Sequence, residues 1–341
     1  MRFDLNDEQR AVRDAVDDLT RARWDSPAVR RRITGDDKEA AQLWNELAGA
    51  GWTGAAVDEA HGGQGLGTVE LALVCEGLGR SLAPATFFGN TAAALLVELA
   101  GDDEQRQRLL PGFASGEARG AIAVLEPDGR ALAFDAEGAA AVVLVNGGRA
   151  VVAPSTECRF DPLDGIDLTR RLTRVTAAES EELRGDVTAA LDRAEVILSA
   201  ELVGVAQRAL DLAVDHAQTR QQFGRPIGAY QAVSHRCADM LLDVESARSA
   251  VLCAAWTADN DPAQLAFASS VAKVAAAQGA PRVTASSLQV HGGIGFTWEH
   301  DCHLLLRRAA ASARLLGGVD FHLDRVAELR GLGSMRPAVS V

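Results

Sequence analysis

The chain has 341 residues, its hydrophobic fraction is 48%, and its formal net charge at pH 7 is −13. This length supports two or three compact units, and the negative charge argues against nucleic acid or an anionic membrane as a partner, because both bind clustered Lys and Arg. The five scattered cysteines, and the absence of a signal-peptide core or of a run of about 18 apolar residues, predict a soluble, reduced, cytoplasmic protein.

The first part of the chain, residues 1–118, is predicted to be a helical domain. Asn6 is placed to cap the first helix, in which Val12 and Val16 share one face. The glycine-rich segment DEAHGGQGLGT must be an irregular loop, and Pro111 is expected to end the last helix. The predicted helices cover residues 6–22, 38–50, 68–80, 91–100 and 103–110.

The middle part, residues 119–186, has the texture of a small β domain. The runs AIAVL, AAAVVLV and RAVVAP are short β-type segments separated by the turn signals DGR and NGG, and DLTRRLTRV is expected to add one more strand. A few short strands bury little surface alone. We therefore expect this segment to pack on its neighbours or on another chain.

The last part, residues 187–341, returns to long helices and is predicted to be a four-helix bundle. Apolar residues recur at helical spacing in each of its long segments. Pro262 is expected in the first turn of the third helix, and Gly279 is a weak point in it. The predicted helices cover residues 192–219, 231–258, 262–290 and 300–315.

The segment QVHGGIGFTWEHDCH (289–303) allows two interpretations. His300 and His303, with Glu299 and Cys302 nearby, resemble a metal site, whereas the glycines resemble a cradle for a phosphate. Only the two histidines are expected to share a helix face, and Cys302 and Glu299 are expected to point elsewhere. We therefore predict that no metal binds here. His291 is expected to serve the hydrogen bonding of the turn, and His300 and His303 to begin the next helix.

Three motifs, in this order along the chain, carry a family resemblance: LAGAGWTGAAVDEAHGGQGLGTVELALVCEGLGR (47–80), TRQQFGRPIGAYQAVSHRCADM (219–240) and QVHGGIGFTWEHD (289–301). They resemble the acyl-CoA dehydrogenase family over essentially the whole chain, with the β segment as the weak part. The resemblance implies a mainly α fold and the α,β-dehydrogenation of an acyl-CoA thioester, in which a carboxylate removes a proton and FAD takes a hydride. It also implies an electron-transfer flavoprotein as the electron acceptor.

The resemblance further implies which residues contact FAD. Arg220 matches an arginine that pairs with the FAD pyrophosphate, a role that suits a permanently charged, forked donor. The glycines of the QxxGG motif let the backbone approach the ADP portion closely. In the family these groups reach across a dimer interface to the neighbouring subunit's FAD. The implied cofactor-binding residues are Arg220, Phe223, Gln231, Gln289, Gly292 and Gly293.

The other half of a flavin site departs from the family pattern. The TEPxxGSD turn that holds the flavin ring appears as LEPDGR (125–130), in which Leu125 replaces a hydroxyl residue and has no hydrogen bond to give. No tryptophan occurs between Trp52 and Trp256, so the WIT-like strand is also missing. The β segment is shorter than usual, and we expect that this subunit does not enclose a complete FAD with its own β domain.

Both family positions for the catalytic base are empty, so no catalytic residue is predicted. Alignment on Arg307 places Leu316 at one position, and alignment on AQRAL (206–210) places Ala194 at the other. Glu195 is one residue out of register, about 100° around the helix, and Glu201 lies two turns further on. The expected role of each is that of a solvated or ion-paired glutamate, and Asp192 and Asp211 are expected to be surface charges.

This combination resembles the short, non-catalytic subunit of actinobacterial heteromeric (α2β2) acyl-CoA dehydrogenases, which act on CoA thioesters of steroid side chains. In that interpretation a longer partner binds the acyl-CoA and supplies the flavin-ring pocket and the base. Two alternatives stay open. One is a self-sufficient homotetrameric dehydrogenase that uses Glu195 or Glu201, and the other is a flavin-free scaffold or regulatory subunit.

Overall fold

The structure, a computed structural model, describes residues 4–126, 128 and 130–333. Helices dominate it, and the β-strands lie in sequence between an N-terminal group of helices and a C-terminal bundle, which confirms the mainly α fold. Pro127 and Gly129 of the segment LEPDGR lie outside the described residues, as does the end of the chain beyond residue 333.

Six helices form the N-terminal part. The first begins with a capping box, in which the Asn6 side chain accepts from the backbone N–H of Gln9 at 2.8 Å and the Gln9 side chain accepts from the backbone N–H of Asn6 at 3.1 Å. The predicted cap is therefore confirmed. The helices are α1 (Asp7–Arg23), α2 (Ser26–Ile33), α3 (Lys38–Gly49), α4 (Thr68–Arg80), α5 (Thr86–Ala100) and α6 (Asp103–Ser115).

Two predictions for this part were wrong. Helix α2 was missed, although Asp25 caps it by accepting from the N–H of Ala28 at 2.9 Å and a proline stands in its first turn. Helix α6 does not end at Pro111 but continues to Ser115. Phe113 and Ala114 are buried in the core, and this packing offsets the hydrogen bond that the proline removes.

The middle part forms one seven-stranded sheet in the order β5-β6-β2-β1-β3-β4-β7. Strands β1 and β3 are parallel, and the other neighbouring pairs are antiparallel. In the run DLTRRLTRV only the residues from Leu172 onward are in a strand, because Asp167 and Arg170 turn into the protein interior. The strands are β1 (Gly120–Leu125), β2 (Ala131–Phe134), β3 (Ala141–Asn146), β4 (Arg149–Pro154), β5 (Cys158–Leu163), β6 (Leu172–Ala177) and β7 (Glu181–Leu183).

The C-terminal part contains four long helices, as predicted, and a fifth that was missed. Gly279 does not interrupt the third of them. His300 lies before the fourth helix rather than in it, so only His303 belongs to that helix. The helices are α7 (Val187–Thr219), α8 (Gln231–Asn260), α9 (Leu265–His291), α10 (Cys302–Ser312) and α11 (Val319–Leu329), and a short hairpin, β8 (Gln221–Gln222) and β9 (Arg225–Pro226), follows α7.

A buried ion cluster joins the sheet to the bundle. Arg308 on α10 donates to Asp167 at 2.8 Å, and Arg170 pairs with Glu201 on α7, to which Ser312 also donates. Arg308 is completely buried, and both carboxylates hold the pair of guanidinium groups in the interior. Of the two roles predicted for Glu201, solvated or ion-paired, the structure shows the ion-paired one.

Candidate functional site

The first motif of the implied FAD site lies at the C-terminal end of α7. Arg220 is the C-cap of that helix, and Phe223 lies at the tip of the β8–β9 hairpin with 91% of its surface exposed. Gln231 is the exposed first residue of α8. Within residues 4–126, 128 and 130–333, no carboxylate or acceptor contacts the guanidinium of Arg220. The predicted residues of this motif therefore face outward with their binding groups free.

The second motif lies at the C-terminal end of α9. Gln289 is exposed on the last turn, and Gly292 is the C-cap with φ 62° and ψ −139°, a conformation that glycine adopts without strain. A Cβ built on Gly292 or Gly293 meets no atom within 4 Å. The backbone of this turn is consequently open to close approach by a second molecule.

A stack of imidazole rings connects the two motifs. The ring centroids of His216 on α7 and His291 on α9 are 4.5 Å apart, and those of His291 and His300 are 4.3 Å apart. Because His216 is one turn before Arg220 and His291 directly precedes Gly292, the stack brings the two motifs to the same end of the bundle. Burial, followed by the charge of His291, lowers the pKa values of His216 and His300, which keeps these two rings neutral over a wider pH range.

The same region contains the cluster considered as a metal site, with a different membership. His291, rather than His303, lies beside His300 and Cys302, and one potential ligand atom of each lies within 4.8 Å of the others. The expectation that Cys302 points elsewhere was wrong, since its Sγ is 3.3 Å from Nδ1 of His291. These groups already have partners: His291 Nδ1 is 2.8 Å from the carbonyl of Ser287, and His300 Nδ1 accepts from the N–H of Cys302.

A cavity of about 710 Å³ lies between the sheet and the bundle. Leu125 at the end of β1 and Leu316 after α10 both line it. The two positions at which the sequence departs from the family's flavin turn and base therefore meet in one cavity. Most of its wall is apolar, with side chains from β1, β3, α7 and α11: Val124, Leu125, Val145, Leu191, Leu316 and Phe321.

Charged residues lie at one side of this cavity. Arg325 on α11 donates to Asp192 at 2.5 Å and to Glu195 at 3.3 Å. Burial, followed by the charge of Asp192, raises the pKa of Glu195 to about 8. Asp192 is 3% exposed, so its prediction as a surface charge was wrong, because its partner comes from the unpredicted helix α11. Asp211 is half-buried and pairs with Arg80 at 2.6 Å.

Glu195 lies in this cavity, contrary to the expectation from helical register. Leu191, Asp192 and Glu195 follow one another at spacings that place them on one face of α7, and this face lines the cavity. Ala194, the position aligned with the family base, is fully buried and is not part of the described cavity lining. The prediction from the family alignment, that Glu195 is turned away from the position of the base, was therefore wrong about which residue faces the cavity.

Comparison with known proteins decides the family. A model of the acyl-CoA dehydrogenase N-terminal domain matches residues 6–117, and a model of the C-terminal domain matches residues 185–329. Acyl-CoA dehydrogenase IpdE2 of Mycobacterium tuberculosis is 36% identical over 314 residues, which cover 91% of this chain and 93% of that protein. The chain belongs to the acyl-CoA dehydrogenase family.

Other acyl-CoA dehydrogenases show the same likeness. FadE34 of M. tuberculosis is 35% identical over 354 residues, which cover 97% of this chain and 49% of FadE34. A variant of the Tcur3481–Tcur3483 steroid ACAD has 26% identity and a TM-score of 0.84, over 95% of this chain and 98% of that one. The ChsE4–ChsE5 complex from M. tuberculosis, at 23% identity and a TM-score of 0.85 over 99% and 100% of the chains, shows the fold alone.

Membership in this family makes the chain part of a class of oxidoreductases that act on CH–CH bonds and supports FAD as the cofactor. The residues present fit the diphosphate part of FAD, since the guanidinium of Arg220 has no partner in the part of the chain that the structure describes and the Gly292–Gly293 backbone is open. They fit the flavin ring poorly, because Leu125 lines the cavity where a hydrogen-bonding residue is needed. No helix among the described residues is long and apolar enough to cross a membrane.

Sequence reasoning missed the charged group formed by Asp192, Glu195, Arg325 and Lys273. Its members come from α7, α9 and α11, and the hydrogen-bonded pair Asp192–Arg325 spans 133 positions of the chain. One signal was present: two acidic residues three apart within the mainly apolar first half of α7. Such a pair predicts a buried partner cation, but it does not say where in the chain that cation lies.

Proposed function

We propose that this chain is the non-catalytic subunit of a heteromeric, FAD-dependent acyl-CoA dehydrogenase. It completes the FAD site of a longer catalytic subunit and lacks a catalytic base of its own. The observation that carries this proposal is a contrast between two places. Arg220 is exposed and has no side-chain partner among the described residues, whereas in the cavity Leu125 and Leu316 replace the groups that a flavin site requires. The likeness to a two-component steroid ACAD supports it.

In this proposal the two exposed motifs bind the diphosphate of a FAD whose ring lies in the partner. The guanidinium of Arg220 donates paired hydrogen bonds to phosphate oxygens, and Phe223 and Gln231 contact the cofactor from the hairpin and the start of α8. Gln289 and the Gly292–Gly293 turn approach its ADP portion. When bound, FAD supplies the hydride acceptor.

The partner supplies what this chain lacks. It binds the acyl-CoA thioester, provides the carboxylate that removes the α proton, and passes electrons to an electron-transfer flavoprotein. We propose a steroid side-chain thioester as the substrate because a relative of this chain is a steroid ACAD. The five free cysteines agree with a reducing, cytoplasmic location of the complex.

The decisive experiment measures flavin content with and without the partner. We expect the chain alone to purify colourless and the complex with a longer homologue to carry stoichiometric FAD. Arg220→Ala should remove most of that FAD, whereas Arg159→Ala, on the exposed edge of β5, should leave it unchanged. A yellow and active chain in isolation would contradict the proposal. A colourless complex whose composition is insensitive to Arg220→Ala would instead identify a flavin-free scaffold.

Substrate class is tested on the same complex. Rates of dehydrogenation are compared between steroid side-chain CoA thioesters and straight-chain acyl-CoA thioesters. We expect the steroid thioesters to be preferred by kcat/KM. A preference for straight-chain thioesters would contradict the proposed steroid substrate but not the proposed role as a non-catalytic subunit.

One observation favours a second function, a self-sufficient dehydrogenase with Glu195 as its base. Glu195 lines the cavity, and its raised pKa of about 8 is in the range of a general base. Glu201 has no such support, because Arg170 and Arg308 hold it in the buried ion cluster. In this second case the chain alone is yellow, and Glu195→Gln abolishes turnover without loss of flavin.

A further inference from the structure

A second cavity lies at the junction of the N-terminal helices and the C-terminal bundle, where residues of α1, α2, α4 and α7 and the start of α10 meet. We propose that this junction cavity binds a small monocarboxylate through Arg208. Binding there requires neither FAD nor an acyl-CoA thioester. The proposal therefore goes beyond the proposed function, in which Arg208 has no part.

The junction cavity is small and its lining is rich in charge. Its volume is about 280 Å³, slightly below the range of roughly 300–1,000 Å³ that is typical of drug-sized ligands. A molecule with few heavy atoms therefore fits it best. The charged residues of the lining are Asp17, Arg21, Asp25, Arg80, Arg208 and Asp301.

Arg208 is the member of this set that lacks a counter-charge. It is half-buried on α7, and among residues 4–126, 128 and 130–333 no group accepts a hydrogen bond from its guanidinium or forms an ion pair with it. A cation that is partly withdrawn from water and has no partner carries a desolvation cost that internal contacts do not offset. A bound anion would supply the missing partner.

Three of the other charged residues of the lining are held in ion pairs. Arg80 donates to Asp211 at 2.6 Å and to Asp17 at 3.4 Å. Asp301 accepts from Arg30 at 2.6 Å. These charges are therefore compensated within the fold and leave Arg208 as it is.

Asp25 and Arg21 complete the charges of the lining. Asp25 accepts from the backbone N–H of Ala28 at 2.9 Å, at the N-terminus of α2 where a negative charge is stabilised. Arg21 donates to Asp18 at 2.7 Å. The lining thus has three aspartates and three arginines, whose formal charges cancel. Because a dianion such as phosphate meets three aspartates here, the balance favours a ligand with a single negative charge.

The rest of the wall indicates which monoanion fits. A planar carboxylate accepts two parallel hydrogen bonds from a guanidinium. Val29 and Leu305 are buried apolar side chains of the lining, and Trp24 adds an aromatic ring that is only 2% exposed. The indole N–H of Trp24 has no acceptor among the described residues. We therefore expect a carboxylate that carries a short apolar or aromatic group, which packs against these three side chains.

The turn after α4 gives the cavity a fixed wall. Leu82 lines the cavity and has φ 56°, a left-handed conformation that costs free energy in a leucine. The buried guanidinium of Arg308 donates to the carbonyl of Leu82 at 3.3 Å and to that of Ala83 at 3.0 Å. These hydrogen bonds hold the turn, so this wall is formed before a ligand enters.

Three probes that share one ring test the charge of the ligand: 4-fluorobenzoate, 4-fluorobenzamide and 4-fluorobenzylamine. Their binding to the full chain without added flavin is measured by fluorine NMR titration. We expect the benzoate to bind about tenfold more tightly than the amide, the difference between a charge-assisted and a neutral hydrogen bond, and the protonated amine to bind most weakly. Equal binding of benzoate and amide, tighter binding of the amine, or no binding of the benzoate overturns the proposal.

Three variants locate the carboxylate. Arg208→Met should weaken binding of 4-fluorobenzoate by about tenfold to hundredfold. Arg208→Lys keeps the charge but not the forked donor and should lose less. Arg220→Met removes an exposed arginine outside this cavity and should bind like the parent. Binding that is lost in Arg220→Met and kept in Arg208→Met assigns the carboxylate to the exposed end of the bundle and overturns the proposal.

The thermal unfolding midpoint separates ligand binding from a structural role of Arg208. Without a probe, Arg208→Met should unfold at or above the midpoint of the parent, because it removes a half-buried charge that has no partner. Arg80→Met, in the same cavity, is the matched control and should unfold at a lower temperature, because it leaves Asp17 and Asp211 without their cation.

Added 4-fluorobenzoate should raise the midpoint of the parent and of Arg80→Met but not that of Arg208→Met, because only a ligand that binds the folded chain stabilises it. A midpoint of Arg208→Met that falls as far as that of Arg80→Met without a probe would show that the fold itself uses this arginine, and it would contradict the proposal.

Discussion

The two functional regions of this chain differ in how their polar groups are satisfied. At the end of the bundle, the guanidinium of Arg220 has no partner within the described part of the chain, and a Cβ added at Gly292 or Gly293 would meet no described atom within 4 Å. Beside the cavity, Arg325 donates to Asp192 and Glu195, and the fully buried Lys273 donates to two backbone carbonyls. Polar groups that have no partner within the fold are available to another molecule, whereas polar groups that have internal partners stabilise the fold. This difference is what the proposed function requires, namely exposed groups for the FAD of another subunit and internal pairs that stabilise this chain.

The largest loss of stability is expected when the cation that pairs with Asp192 and Glu195 is removed. Arg325→Met leaves Asp192 and Glu195 buried without their cation, which costs about 3–5 kcal/mol of unfolding free energy. Chemical denaturation measures this loss. Arg193→Met, on the same helix α7 but bonded only to backbone carbonyls, is the control and should cost less. If Arg325→Met unfolds like the parent, Asp192 and Glu195 are not held by this arginine.

Acid should remove the stabilisation that the neutral, buried His322 provides. Burial lowers the pKa of His322 to about 4, so the unfolded chain binds a proton first, at its ordinary pKa near 6.5. The contribution of His322 is therefore present above pH 6.5 and is lost as pH falls towards 4, by about 2–3 kcal/mol at pH 4.5. Glu195, whose pKa is raised to about 8, contributes with the opposite sign, so the loss is read as the difference between the parent and His322→Gln. Denaturation at pH 7.5 and 4.5 measures it. His322→Gln should lose much of this pH dependence, and His235→Gln, at an exposed position, should keep it.

At the exposed end, backbone conformation and flavin binding can be separated. Gly292→Ala forces a side chain into a positive-φ conformation and should cost about 1–2 kcal/mol. Gly293→Ala has open space around it and does not require a positive φ, so it should leave stability unchanged. Both should reduce FAD retention in the complex, because each adds a Cβ where the backbone approaches the cofactor. Unchanged flavin content in both variants would remove this turn from the FAD site.

The smallest effect is expected from metal ions. Burial raises the pKa of Cys302 to about 11, so the thiol keeps its proton at neutral pH, and Nδ1 of His291 and Nδ1 of His300 already have hydrogen-bond partners. We expect no zinc in the purified chain and no change in its unfolding midpoint on addition of zinc or a chelator. A stoichiometric zinc content that disappears in Cys302→Ala, but not in Cys253→Ala, would reverse this prediction.

The parts of the structure that depend on local signals were predictable. The cap at Asn6 and the bounds of α4 follow from residues within a few positions of each other. The helices and buried charges that depend on distant partners were not: α11 was missed, and with it the cation that draws Asp192 into the interior. The six cofactor residues came from family resemblance and stay predictions. The hydrophobic periodicity of the sequence does not predict that these six residues are exposed.

The ion cluster of Asp167, Arg170, Glu201 and Arg308 has a consequence for exchanging segments between relatives. Its members come from the loop before β6, from α7 and from α10. A sheet transplanted from another member of the family would bring a new loop but leave Arg308 and Glu201 behind. Such a chimera should fold only when the loop around Asp167 and Arg170 travels with matching residues on both helices. These positions should therefore change together, as one inherited unit.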